Sequence, residues 1–223
     1  MAEQPTRSDE TIEELRLFPL NVVLFPGMPL PLRIFEERYK LMIGECLDEK
    51  APFGVVLIQE GMEVGGPAKP HPTGTTARIT QVERLEEGRM SLATVGERRF
   101  RIVDTVHELP YLKGRVRYLP EEMGDIAEGV LDRARQLFGE YIRGLAGLRG
   151  GWMRQADVPD DPGRLSYSIA HYLELPPRAR QRLLEVRVIG ERLQYEVPLL
   201  EGATQRLREE LVKRSPYQGR RLN

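Results

Sequence analysis

Prolines interrupt an apolar segment near the start of the chain at a spacing that restricts how it can fold. Within residues 17–39, Pro26-Gly27 favours a turn, and apolar residues then occupy every second position, as in a strand with one buried face. These residues are Met28, Leu30, Leu32 and Ile34. Because Pro29 and Pro31 have no N–H to donate to a β-ladder, we predict that the strand lies at a sheet edge or across the mouth of a barrel.

The rest of the chain changes from strand-like to helix-like patterns. A helix is predicted from Glu36, and residues 53–58 form a continuous apolar run typical of a strand buried on both faces in the centre of a sheet. Glycines and prolines in residues 59–76 predict a long exposed loop. Further strands are predicted at 77–85, 90–95, 98–103 and 112–119. After Pro120 the apolar spacing is helical, and Pro198 predicts a kink or break in the last helix.

Five segments follow one another in the order of the motifs of a known family. They are residues 17–39, Gly74-Thr-Thr-Ala-Arg-Ile79, Gly96-Glu-Arg-Arg-Phe-Arg-Ile102, the helical segment 161–173, and residues 183–193. Together they resemble the N-terminal substrate-binding domain of the Lon protease family over residues 15–214. The resemblance implies an α+β fold, in which a PUA-like (pseudouridine-synthase-associated), twisted and partly closed β-barrel precedes a small α-helical bundle.

We therefore expect four regions along the chain. Residues 1–14 are predicted to be a disordered acidic N-terminus, and residues 15–120 a PUA-like β subdomain. Residues 121–214 are predicted to be a helical subdomain, and residues 215–223 a flexible tail.

Catalytic motifs of complete Lon proteases do not occur in this sequence. It has no Gly-Lys dipeptide, which a phosphate-binding loop requires, and none of its serines lies in a Gly-x-Ser-x-Gly setting. The resemblance therefore implies a stand-alone member without the ATPase and protease modules, and we expect no enzymatic activity, no catalytic residue and no cofactor. Ser166, Ser168 and His171 are close enough in sequence for a Ser–His hydrogen bond along a helix, but packing is the favoured interpretation.

Composition argues against metal binding, membrane contact and nucleic-acid binding. The only cysteine, Cys46, and the three histidines lack the spacing of metal ligands, so no metal site is predicted. No apolar run reaches membrane-spanning length and no leader is evident, so we expect a cytoplasmic protein without membrane contact. A net charge of −1 makes a nucleic-acid partner unexpected.

Large apolar residues in weakly structured segments suggest a binding surface. Met62 and Val64 lie in the predicted loop, and Trp152 and Met153 follow a run of glycines. We interpret them as candidate substrate-binding residues for unfolded or partner protein segments, reached partly by strand addition at a sheet edge. The competing interpretation of Trp152 is a plug that closes a seam between helices. The hypothesis is an adaptor in protein quality control.

RNA binding is the alternative function. PUA-like folds occur in RNA-modifying proteins, and arginines cluster at Arg98-Arg99-Arg101 and at Arg115-Arg117. The near-neutral chain nevertheless lacks the extended basic stripe expected for phosphate tracking.

Overall fold

The computed structural model describes residues 11–64, 68–106, 110–151 and 153–214, and it confirms the predicted α+β class. The strands are β1 Ile12–Leu20, β2 Pro29–Ile34, β3 Phe53–Gly61, β4 Ala68–Arg84, β5 Met90–Val106 and β6 Leu112–Tyr118. The helices are α1 Glu37–Glu49, α2 Val130–Leu148, α3 Pro162–Tyr172, α4 Pro177–Glu185 and α5 Ile189–Arg214. Among the described residues, none of the helices combines the length and apolar composition needed to span a bilayer.

The chain forms two compact units. Of the described residues, the first contains those within 11–121 and 174–187, and the second contains those within 122–173 and 188–214. Residues 174–187, which include α4, thus group with the strands, although they lie within the range 121–214 that the sequence assigned to the helical part.

The strands of the first unit form one sheet in the order β2-β5-β4-β3-β1-β6, and β6 also pairs with β5. The pairing of β1 with β3 is parallel, and the other pairings are antiparallel. Strand β2 ends the order, so the prediction that its prolines place it at an edge is confirmed. Strand β3 lies between β1 and β4, as its continuous apolar run predicted.

Two apolar clusters cover the two faces of this sheet. Helix α1 buries a face made by Tyr39, Met42, Ile43 and Cys46, whose spacing follows the helical repeat. These residues pack with side chains from β1 and β3, including Phe18 and Phe53. The other cluster surrounds the fully buried Phe100 and contains Leu15, Leu17, Val56 and Val116.

Glycines allow the close packing around Phe100. A Cβ at Gly74 would lie 2.4 Å from the Val55 carbonyl oxygen and 2.8 Å from Phe100, and a Cβ at Gly54 would lie 2.6 Å from Phe100. Atoms at these distances overlap, so neither position tolerates a side chain without local movement.

The structure corrects the sequence-based predictions at three places. Residues 68–76 are not loop, because β4 begins at Ala68 and pairs with β3, where register shifts near Ile58 accommodate proline. The strands predicted at 90–95 and 98–103 form the continuous β5. Helix α5 continues through Pro198, so the predicted break does not occur; buried residues on both sides of the proline pack the helix onto α2 and α3.

The second unit consists of α2, α3 and α5. Asp161 caps α3 as predicted, since its side chain accepts a hydrogen bond of 2.8 Å from the Arg164 N–H. Helices α2 and α5 come very close at Gly144, where a Cβ would lie 2.5 Å from Leu207.

A buried arginine attaches the segment around α4 to the sheet. Arg99, on β5, is 1% exposed and donates hydrogen bonds to the Leu184 and Val186 carbonyl oxygens at 2.9 and 2.8 Å. Its Nε donates to the Glu121 carboxylate at 2.7 Å. From α4, Gln181 Nε2 donates to the Thr73 carbonyl oxygen at 3.0 Å. A buried charge with this set of acceptors holds the segment in one position.

Candidate functional site

Met62 and Val64 follow β3 and project outward from the first unit. Their exposed fractions are 64% and 53%, which is high for apolar side chains in a described region. Glu63 lies between them and is less exposed.

Glu63 fixes the two apolar residues in this orientation. Its carboxylate accepts hydrogen bonds from the Asn21 backbone N–H at 3.1 Å and from Asn21 Nδ2 at 2.7 Å. Its carbonyl oxygen accepts a bond of 3.5 Å from Arg38, which also forms an ion pair of 2.9 Å with Glu36. The polar residue is therefore held on both sides, and the residues before and after it remain exposed.

A small cavity of about 160 Å³ lies beside Val64, and we call it the apolar pocket. Its lining consists of Phe18, Leu20, Pro31, Leu32, Arg33, Ile34, Phe35, Glu36, Tyr39, Glu63 and Val64. Phe35 follows β2 and is 53% exposed, so it forms part of the rim together with Val64. An exposed aromatic ring and an exposed aliphatic side chain at one concave site are typical of a protein-binding surface.

Packed aromatic rings make the base of the apolar pocket rigid. The centroids of the Phe18 and Tyr39 rings are 4.1 Å apart, and the Arg38 guanidinium lies 4.5 Å from the centroid of the Tyr39 ring. Burial raises the pKa of Tyr39, so its hydroxyl stays neutral at physiological pH. The pocket therefore offers an apolar base with charged groups at its margin.

The adjacent edge of the sheet is poorly suited to strand addition. Pro31 and Arg33 of β2 line the apolar pocket, and β2 is the terminal strand of the sheet order. An incoming strand would find no N–H donor at Pro29 or Pro31. Side-chain contacts are therefore the main way in which this site can hold a peptide.

The candidate residue Met153 does not belong to the first unit. Met153 lies in the second unit and is 39% exposed. Trp152 lies outside the described residues. Sequence reasoning missed Leu32 as a pocket residue because it fitted the strand pattern. It also missed Phe35, although the position of Phe35 immediately beyond the end of that alternation was a signal.

The two arginine clusters do not form one basic stripe. Arg99 is buried, and the Arg98 guanidinium stacks 3.7 Å from the centroid of the Tyr118 ring. Arg115 forms hydrogen bonds of 2.9 and 3.0 Å with the Asp104 carboxylate, which hold the pKa of Asp104 below its usual range. Three of the five clustered arginines are thus engaged by the protein itself.

The serine pair of α3 serves packing. Ser166 Oγ accepts a hydrogen bond of 2.6 Å from Arg192, and Ser168 Oγ donates one of 2.8 Å to the Arg164 carbonyl oxygen. Within the described part of the chain, no group of three or more histidine, cysteine, aspartate or glutamate side chains could hold a metal ion.

Comparisons with curated proteins identify relatives that are longer than this chain. A Lon protease from Paraburkholderia phytofirmans is 33% identical over 205 residues, which are 88% of this chain and 25% of that protein. A Lon protease from Anaeromyxobacter dehalogenans is 28% identical over 191 residues, or 83% of this chain and 23% of that protein. The chain spans about a quarter of the length of these relatives.

Solved structures and a family model agree with this result. A Lon N-terminal domain protein from Xanthomonas campestris is 27% identical with a TM-score of 0.63, and the match covers 82% of this chain and 96% of that one. The N-terminal domain of a Mycobacterium avium complex Lon protease shares the fold, with a TM-score of 0.63 at 18% identity over 85% of this chain and 98% of that one. The model of the ATP-dependent protease La (LON) substrate-binding domain matches residues 14–202, and the chain therefore belongs to this family.

Proposed function

We propose that this protein binds exposed apolar segments of unfolded or partner proteins at the apolar pocket, and that it acts as a non-enzymatic adaptor in cytoplasmic protein quality control. The observation that carries the proposal is the exposure of Phe35 and Val64 at a concave site with a closely packed aromatic base, with the exposed Met62 two residues before Val64. Membership of the Lon substrate-binding domain family supports a role in substrate recognition. The RNA-binding alternative gains no support from the comparisons.

The binding mode follows from the geometry of the site. One apolar side chain of a substrate can enter a cavity of about 160 Å³, and the rim residues cover its flanks. Because Pro29 and Pro31 remove donors from the sheet edge, the backbone of the substrate contributes little, and the site selects apolar character rather than a particular sequence. Trp152 and Met153 remain proposed as additional contacts.

We further propose that the sheet is the partly closed barrel of PUA-like proteins. The pairing of β5 with β6 supports this proposal, because the order β5, β4, β3, β1, β6 then returns to β5. The cluster around Phe100 draws its side chains from β1, β3, β5 and β6, as the interior of such a barrel would.

The test is a binding titration with a fluorescent, unfolded peptide that contains apolar residues and no charge. We expect the triple variant Phe35→Ser, Met62→Ser and Val64→Ser to lose at least about tenfold in affinity, because truncation of each well-placed interface residue costs about 1 kcal/mol or more and about 1.4 kcal/mol is tenfold. The control is Leu85→Ser, since Leu85 is 42% exposed in the first unit but does not line the apolar pocket. Equal affinity of the triple variant and the unaltered protein would contradict the assigned surface.

A further inference from the structure

A second and larger concavity of the first unit is lined by arginine side chains, and we call it the basic groove. Its volume is about 860 Å³. Its lining consists of Pro72, Thr73, Arg101, Ile102, Val103, Arg117, Tyr118, Leu119, Pro120, Glu185 and Arg187. None of these residues lines the apolar pocket.

The register of the sheet places two of these arginines directly opposite each other. Arg101 on β5 is the cross-strand partner of Arg117 on β6, and both side chains are exposed. Like charges at directly opposite positions of an antiparallel pair are destabilising. Among the described residues, neither Arg101 nor Arg117 has an ion pair or a hydrogen bond from its side chain.

A few residues away, the same two strands place an acidic residue opposite an arginine. Asp104 on β5 is the cross-strand partner of Arg115 on β6, and their side chains form a bidentate ion pair. Within the described residues, strands β5 and β6 therefore pair one arginine with a carboxylate and form no such ion pair for Arg101 or Arg117. A negatively charged partner that binds between them would relieve their repulsion and use their hydrogen-bond donors.

The other residues of the basic groove favour a peptide carboxylate over a nucleic-acid phosphate. Ile102, Val103 and Leu119 give the groove apolar walls, which suit the side chains that neighbour an acidic residue. Glu185 also lines it and repels anions of either kind, so it disfavours a continuous phosphate chain more than a few separated carboxylates. The net charge of −1 provides no wider positive field of the kind that nucleic acids require.

We propose that the basic groove binds aspartate and glutamate side chains of an extended protein segment, through forked contacts from Arg101 and Arg117. This inference rests on the proposed function and adds a preference to it: apolar segments flanked by acidic residues bind more tightly than the same segments with neutral flanks. Arginine is suited to this task because its planar guanidinium matches the geometry of a carboxylate.

The test uses two fluorescent 20-residue unfolded peptides with the same apolar centre. One carries Asp and Glu on both flanks, and the other carries Asn and Gln at the same positions. We expect the unaltered protein to bind the acidic peptide about fivefold more tightly at low salt, since one exposed ion pair changes an equilibrium constant by about two- to fivefold. In the Arg101→Gln, Arg117→Gln double variant this ratio falls to about one, while affinity for the neutral peptide stays unchanged.

A matched control removes two positive charges elsewhere in the first unit. Arg84→Gln with Arg89→Gln keeps the fivefold ratio, because neither residue lines the basic groove. A ratio near one in the unaltered protein, or a ratio that survives in the Arg101→Gln, Arg117→Gln variant, overturns the inference and leaves the proposed function intact. Failure of both peptides to bind overturns the proposed function as well. Tighter binding of an oligo(dT) strand than of the acidic peptide, lost in the same variant, assigns the groove to nucleic acid instead and also overturns the inference.

Discussion

The buried carboxyl group of Glu196 makes the stability of the second unit depend on pH in an unusual direction. Glu196 lies on α5 with an exposed fraction of 0%, and neither carboxyl oxygen accepts a hydrogen bond from a described residue within standard geometry. Burial raises its pKa to about 8, although the nearby Ser166 hydroxyl and Arg192 guanidinium act in the opposite direction. The folded protein therefore keeps this carboxyl protonated at pH 7.

The sign and size of the effect follow from proton linkage. Below pH 4.5, the ordinary pKa of the group, both the folded and the unfolded chain are protonated at this site, and the full stability is present. Between that value and the folded pKa of about 8, the unfolded chain releases the proton and the folded chain retains it. The free energy of unfolding then falls by about 1.4 kcal/mol per pH unit, so about 3 kcal/mol is lost by pH 7.

Glu196→Gln removes this dependence, because the amide is similar in size and does not titrate. We expect the variant to be more stable than the unaltered protein by about 3 kcal/mol at pH 7 and nearly equal to it at pH 4. Urea titrations followed by circular dichroism, at intervals from pH 4 to pH 9, measure the difference. The control is Glu209→Gln, an exposed position on the same helix, where we expect a change within about 0.5 kcal/mol at every pH.

An ion pair between Glu196 and Arg192 would give the opposite result. If Glu196 were ionised and paired with Arg192 in the folded protein, removal of its charge would leave a buried guanidinium without its partner. Glu196→Gln would then be less stable than the unaltered protein at pH 7, and its disadvantage would grow as pH rose from 4.

Three further predictions concern the core of the first unit. Gly74→Ala should lower the free energy of unfolding by about 2 kcal/mol because its Cβ meets the Val55 carbonyl oxygen, whereas Gly44→Ala, with nothing within 4 Å, should raise it by about 0.5 kcal/mol in urea titrations. Arg99→Met should cost about 3 kcal/mol in the same assay, since it leaves the Leu184 and Val186 carbonyl oxygens without their donor, and an unchanged midpoint would contradict the anchoring role. Cys46 is 1% exposed and burial raises its pKa to about 11, so a thiol reagent at pH 8 should modify it only after urea is added; modification at the unfolded rate in buffer would contradict its burial.

Sequence patterns predicted those parts of the fold in which a residue's own segment determines its environment. The prolines of β2 indicated an edge strand because a missing N–H acts at the residue itself. The continuous apolar run of β3 and the helical spacing in α1 likewise reflect which faces of each element are buried. The break predicted at Pro198 does not occur, because packing of α5 on its neighbours outweighs the local cost of a proline.

The candidate sites were less predictable because they depend on what covers each side chain. Arg99 and Arg101 belong to one strand and share its alternation, yet Arg99 is buried beneath the segment around α4 and Arg101 is exposed in the basic groove. Arg115 and Arg117 are both exposed on β6, but only Arg115 faces an aspartate across the sheet. No periodicity within β5 or β6 distinguishes these cases, because the deciding partner lies in another element.

The apolar pocket and the basic groove together restrict which kind of segment the first unit can bind. The apolar pocket accepts a side chain, the basic groove offers charge, and the prolines of β2 discourage a continuous backbone ladder at the edge between β2 and solvent. A folded protein rarely presents an apolar side chain and flanking carboxylates in an extended segment, since folding buries the first and fixes the others. Recognition of side chains at two separate sites therefore selects unfolded chains, in which these side chains are accessible. It does not require a defined sequence.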